Sequence, residues 1–216
     1  MKLSLRQLLT LTVFLMSGGA QAALVNIAAN NLAGGSPLIK TTTGAFLAAG
    51  MIVRIGTFAA GQPTITAGST YAEINALFTP IGESSSDAND GTNGPLVMNA
   101  TNDGKYSGTI NSVQNSDSRF GATTRLYIMI LDVVPQADMS LATPTSWLIM
   151  SDATNWVIPA SGTKNLLGNQ ISSGEILAGE FVSASEFRLV SIGVPEPGSM
   201  TLCLSALALM ARRRRK

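Results

Sequence analysis

Histidine is absent from these 216 residues, and the single cysteine, Cys203, sits in an apolar stretch near the C-terminus. Catalysis that pairs imidazole with a nucleophile, metal sites built from His or Cys, and intrachain disulfides are all excluded from the residues before it. Carboxylate and amide oxygens remain. Thirteen Asp and Glu residues contain some pair at the separation of about 5 to 10 Å that glycosidases use, but nothing in their spacing selects one. The expectation is therefore no catalytic residue and no cofactor. A carboxylate-dependent glycoside hydrolase stands only as an alternative.

Oxygen ligands for a hard cation cluster at Asp87, Asn89, Asp90 and Asn93, and again at Asn99, Thr101 and Asp103. Neither cluster completes a calcium loop. Counted from Asp87, the fifth position is Gly91 and the twelfth Met98, where a bidentate glutamate should close the shell. Counted from Asn99, the twelfth is Ile110. A solvated loop and an Asp103-Gly104 hairpin turn are the simpler readings, and no metal site is assigned. Trp147, Trp156, Tyr71, Tyr106 and Tyr127 would form a sugar-stacking platform if exposed. A body with two tryptophans more readily uses them as core. A carbohydrate- or calcium-binding module is thus the first alternative reading.

The strongest patterns lie at the two ends. Lys2 and Arg6 precede an apolar run from Leu8 to Met16, then Ser17-Gly18-Gly19, then Ala20-Gln21-Ala22 before Ala23. Small residues at Ala20 and Ala22 fit signal-peptidase cleavage after Ala22, so residues 1–22 are expected to be a signal-peptide helix read by the Sec translocon. An apolar run this short cannot cross a hydrocarbon core of about 30 Å. At the other end, Val194-Pro195-Glu196-Pro197 precedes an apolar stretch from Met200 to Ala211 and the cluster Arg212, Arg213, Arg214, Arg215 and Lys216. Two prolines fix two φ angles and remove two amide donors, which holds Glu196 in an extended segment. Twelve helical residues rise about 18 Å, short of a stable span, although arginine snorkelling and bilayer thinning permit a transient one. The basic cluster keeps that end cytoplasmic, with residues 23–193 outside.

This order of motif, short apolar helix and terminal arginines resembles the PEP-CTERM sorting domain of Gram-negative bacteria, over residues 194–216. Two phrases of the body, Val53 to Phe58 and Trp147 to Pro159, are also similar to segments of uncharacterised PEP-CTERM protein bodies, and carry no activity with them. The resemblance implies recognition by an exosortase, a membrane-embedded cysteine transpeptidase. It also implies an inner-membrane intermediate, loss of the tail and transfer to the cell surface or the extracellular space, often beside exopolysaccharide. The expected partners are signal peptidase, the translocon, the exosortase, the inner membrane and an exopolysaccharide. The expected role is that of a non-enzymatic surface or matrix protein.

The elements between the ends read as mainly β. Seven basic against twelve acidic residues leave residues 24–193 at −5, a balance that argues against nucleic acid as a partner. Short apolar runs separated by Ser, Thr, Asn and Gly suggest one antiparallel, sandwich-like domain over residues 23–193, disulfide-free at a length that supports its own core. Met51 to Phe58 alternates, with Met51, Val53 and Ile55 on one face. Thr124 to Val134 is apolar on both faces and so is expected at the sheet centre. Weaker strands are expected at Leu24–Ala28, Leu38–Thr42, Leu96–Ala100, Lys105–Val113, Trp147–Ser151, Trp156–Pro159 and Glu186–Ile192. Thr70 and Glu73 form a capping box for one helix, whose face would carry Ile74, Leu77, Phe78 and Ile81. The longest loop is expected from Gly82 to Asn93.

Overall fold

A computed structural model describes residues 23–32, 36–83, 91, 96–100, 104–134 and 142–193. These residues are mainly β, with mostly antiparallel pairing and one α-helix. The strands are β1 (Leu24–Asn30), β2 (Leu38–Lys40), β3 (Ile52–Phe58), β4 (Phe78–Pro80), β5 (Leu96–Val97), β6 (Ser107–Gln114) and β7 (Tyr127–Leu131). They continue with β8 (Ser146–Met150), β9 (Gly162–Leu167), β10 (Ile176–Ala178), β11 (Glu180–Ser183), β12 (Glu186–Arg188) and β13 (Val190–Ser191). The helix α1 spans Tyr71–Leu77.

The largest sheet runs β10-β8-β7-β3-β4, with β13 also on β8 and β5 also on β3. Every residue of β3, β7 and β8 is buried, including Arg54 and Thr57 of β3 and Ser146 of β8, as strands covered on both faces require. A three-stranded sheet, β6-β1-β9, supplies Val25, Ile27 and Ile110 to the core cluster that holds Val53, Ile55, Ile128 and Leu148 from the large sheet. The opposite face of the large sheet carries Ile52, Phe58, Met129 and Trp147, packed with Ile74 of α1. A third sheet orders β11-β12-β2. Two ladders depart from antiparallel pairing, β1 with β9 and β2 with β12. Each joins strands far apart in sequence, so no hairpin constrains their direction.

The expected central strand and the face of Met51, Val53 and Ile55 are both present. The capping box is formed, with Thr70 Oγ1 accepting from the Glu73 amide at 3.3 Å and Glu73 Oε2 from the Thr70 amide at 2.8 Å. The helix is shorter than its apolar spacing suggests. Thr79 precedes Pro80, which disfavours helical backbone there, and the chain turns extended at Phe78. Leu77 is consequently half exposed, Phe78 opens β4, and Ile81 bonds on to the Ile55 carbonyl at 2.8 Å. The expected strand Glu186–Ile192 is two strands in different sheets, because β12 pairs with β11 and β2 while β13 pairs with β8. Trp156–Pro159 is not a strand but a loop bonded alongside Thr124–Leu126, with one isolated bridge between Arg125 and Val157. The expected signal-peptide helix of residues 1–22 and the expected apolar tail helix Met200–Ala211 fall outside the described residues. Among the described residues no helix is long and apolar enough to cross a membrane.

Candidate functional site

The places where the chain enters and leaves the described fold bear most directly on the expected processing sites. At the entry, Ala23 immediately precedes β1 and its carbonyl accepts from the Asn115 amide at 3.3 Å. Ala20 and Ala22 lie outside the described residues. At the exit, β13 pairs Val190 with Trp147 and Ser191 with Ser146, and the Ile192 amide then donates to the Thr145 carbonyl at 2.9 Å. Gly193 follows, so close to the 67–68 turn that a Cβ on it would lie 2.7 Å from the Ala67 carbonyl oxygen. Beside this exit opens a mostly apolar groove of about 400 Å³, lined by Tyr71, Ala72, Thr143, Thr145, Ile192 and Gly193 among others. Asp132 fixes Thr145 at the groove's edge, accepting from the Thr145 and Ser146 amides at 2.9 and 3.0 Å and from the Thr145 hydroxyl. Burial opposes the charge of Asp132, but these hydrogen bonds outweigh it and hold its carboxyl below the usual aspartate range.

A second polar constellation sits under α1. Arg54, buried in the middle of β3, reaches Glu83 through Nε at 2.9 Å and Nη2 at 2.8 Å, and through Nη1 donates to Asn75 Oδ1 at 2.6 Å and Tyr71 Oη at 3.1 Å. Its guanidinium lies 5.2 Å from the Phe78 ring centre. Desolvation works against this charge, yet Glu83 and the Tyr71 hydroxyl hold its pKa above the ordinary value. Every arm of the guanidinium is engaged, which makes this a clamp between strand and helix. Sequence reasoning did not single it out, although an arginine between Val53 and Ile55 is itself the sign of a buried charge that must find a partner.

Of the five candidate stacking aromatics, Trp147, Trp156, Tyr106 and Tyr127 are buried, and Tyr71 is partly buried with its hydroxyl on Arg54. They pack as core. The Trp156 indole donates to Gln170 Oε1 at 3.1 Å. Asp87, Asn89, Asp90, Asn93, Thr101 and Asp103 lie outside the described residues, and among the described residues no group of three or more His, Cys, Asp or Glu side chains is placed to hold a metal. Asp152 caps its own turn instead, accepting from the Thr154 and Asn155 amides at 2.8 Å each.

Val194, Pro195, Glu196 and Pro197, the stretch Met200 to Ala211, and Arg212, Arg213, Arg214, Arg215 and Lys216 lie outside the described residues. No family model, curated protein or solved structure matches the chain.

Proposed function

We propose that the chain is an exported, non-enzymatic surface or matrix protein, delivered by a signal peptide and sorted by an exosortase through a tail similar to PEP-CTERM. The observation that carries the reading is the order of the terminal motifs, an export-signal pattern over residues 1–22 and, at the other end, Val194-Pro195-Glu196-Pro197, the apolar stretch Met200 to Ala211 and the cluster Arg212 to Lys216. Between them, among the described residues, strands run from Leu24 to Ser191, and the Ile192 amide donates to the Thr145 carbonyl. A chain starting at Ala23 and ending near the motif would keep every described strand. The packing of β6-β1-β9 over one face of the large sheet is, in this reading, a sandwich-like arrangement suited to display outside the cell. Exopolysaccharide is the proposed neighbour. N-terminal sequencing of the exported protein tests the front of the proposal. Ala23 is the expected first residue, and Met1 would contradict it.

A further inference from the structure

The chain is held very differently on the two sides of Leu189. Leu189 itself is 1% exposed in the larger core cluster, and its amide donates to the Lys40 carbonyl at 2.9 Å. From Val190 on, the chain changes both its sheet and its core cluster. β13 contributes two residue pairs, Val190 with Trp147 and Ser191 with Ser146, and the Ile192 amide adds one bond to the Thr145 carbonyl. Among the described strands β8 is its only partner. Within residues 190–193 only the Ile192 side chain is buried, while Val190 is partly buried and Ser191 exposed.

The seat that β13 occupies is built without β13. On one side Asp132 pins Thr145 through its amide at 2.9 Å and its hydroxyl, which fixes the carbonyl that Ile192 uses. On the other, the turn over residues 66–69 closes on itself, with the Ser69 amide on the Thr66 carbonyl at 3.0 Å and the Thr66 amide on Ser69 Oγ at 2.9 Å. Gly193 rests against that turn, and the three atoms nearest a Cβ placed on it are backbone atoms of Ala67 and Gly68, the closest at 2.7 Å. Packing beside the strand is open. Val190 and Ser191 line a groove of about 210 Å³ with Ile65, Ala67 and Trp147, and Ile192 and Gly193 line the one of about 400 Å³. Few buried apolar contacts and an unpaired outer edge are the features that lower the free energy of local opening.

We infer that residues 190–193 form a reversible fastener, which leaves β8 as a unit while Leu189 stays fixed as its hinge and returns to a seat that Thr145 and the 66–69 turn keep formed. Gly193 is the latch, because only a residue without Cβ fits against the 67–68 backbone. Opening frees four residues and lengthens the chain past Leu189 by roughly 13 Å. For a chain held at a membrane beyond this point, that added reach sets how far the folded domain stands from an enzyme acting there. This last consequence rests on the sorting proposal, whereas the fastener itself does not.

Native-state hydrogen exchange by NMR, on the full chain in detergent micelles at a series of low urea concentrations, tests the fastener without any exosortase, so its failure is separate from failure of the sorting reading. Corrected for intrinsic rates, the Ile192 amide should exchange at least about a hundredfold faster than the Leu189 amide, at a rate that urea barely changes, whereas Leu189 should accelerate with urea as global unfolding does. Gly193→Ala should speed exchange at Ile192 at least about tenfold further and leave Leu189 as it was. Equal protection and equal urea dependence at the two amides of the parent chain would show that β13 opens only with the whole domain, and would overturn the inference. A Gly193→Ala variant in which Ile192 is as protected as in the parent, or in which Leu189 loses as much protection as Ile192, would overturn it as well.

Discussion

Glu83 holds Arg54 through two donors, Nε at 2.9 Å and Nη2 at 2.8 Å, on the face of β3 that otherwise carries Ile52 and Phe58. Both side chains are largely buried, 8% and 14% exposed, so removing one strands the other's charge in the interior. Glu83→Ala should destabilise the fold by about 3 kcal/mol, read as a lower denaturant midpoint with an unchanged slope. A loss below about 1 kcal/mol would show that the pair is hydrated rather than buried.

Acid should weaken the fold through Asp132 and Glu186. Asp132 is held below its usual range despite burial by hydrogen bonds from Thr145 and Ser146, and Glu186 by Lys40 and Arg188. A carboxylate with a depressed folded pKa stabilises the protein above its unfolded value, and that contribution drains away as pH falls through the folded value. The melting temperature should be level above about pH 5 and fall below about pH 4. Asp132→Asn should lower the plateau and flatten the acid limb. A variant as pH-sensitive as the parent would contradict this.

The Tyr106 hydroxyl is fully buried and has no hydrogen-bond partner among the described residues, while burial pushes its pKa well above the ordinary tyrosine value. An unsatisfied polar atom in the core is a penalty already present in the fold. Tyr106→Phe should leave stability unchanged or raise it by about 1 kcal/mol. A loss of more than about 1 kcal/mol in thermal or chemical unfolding would mean that the hydroxyl has a partner.

Thr123 occupies the left-handed region at φ 74°, where a β-branched side chain is strained. Its amide donates to the Ile158 carbonyl at 2.8 Å and its side chain is exposed, so the turn is fixed by backbone and the side chain is replaceable. Thr123→Asn, which tolerates that conformation, should raise stability by about 0.5 to 1 kcal/mol. A decrease in melting temperature would show that the threonine side chain contributes something the hydrogen bonds do not reveal.

Much of the fold was legible where one residue pattern determined one outcome. The doubly apolar run around Tyr127 to Leu131 could only be central, and the Thr70–Glu73 box started the helix where it does. Strand β9 was not legible because Lys164 and Asn165 mask its only fully buried side chain, Leu166, and because its partner β1 lies far away in sequence and parallel. The split of Glu186–Ile192 between two sheets was hidden for a similar reason. Leu189 is buried like Phe187 two residues before it, so the alternation runs on through a point where the pairing partner changes. The groove beside Gly193 was invisible because Thr143 and Ile192 meet through the β8–β13 register and Tyr71 reaches them from α1, far away in sequence. The clamp on Arg54 depends on Glu83 and Asn75, whose approach required α1 to end where Pro80 ends it.

The sorting reading is tested most directly by the mass of the protein recovered from the producing organism, with and without its exosortase, for the parent chain and Glu196→Ala. The parent should begin at Ala23 and lose the residues from Met200 to Lys216 only when the enzyme is present. Glu196→Ala should be exported but keep its tail in both strains. Parent protein that retains Arg212 to Lys216 while the exosortase is active would reduce the tail to an anchor and contradict the account.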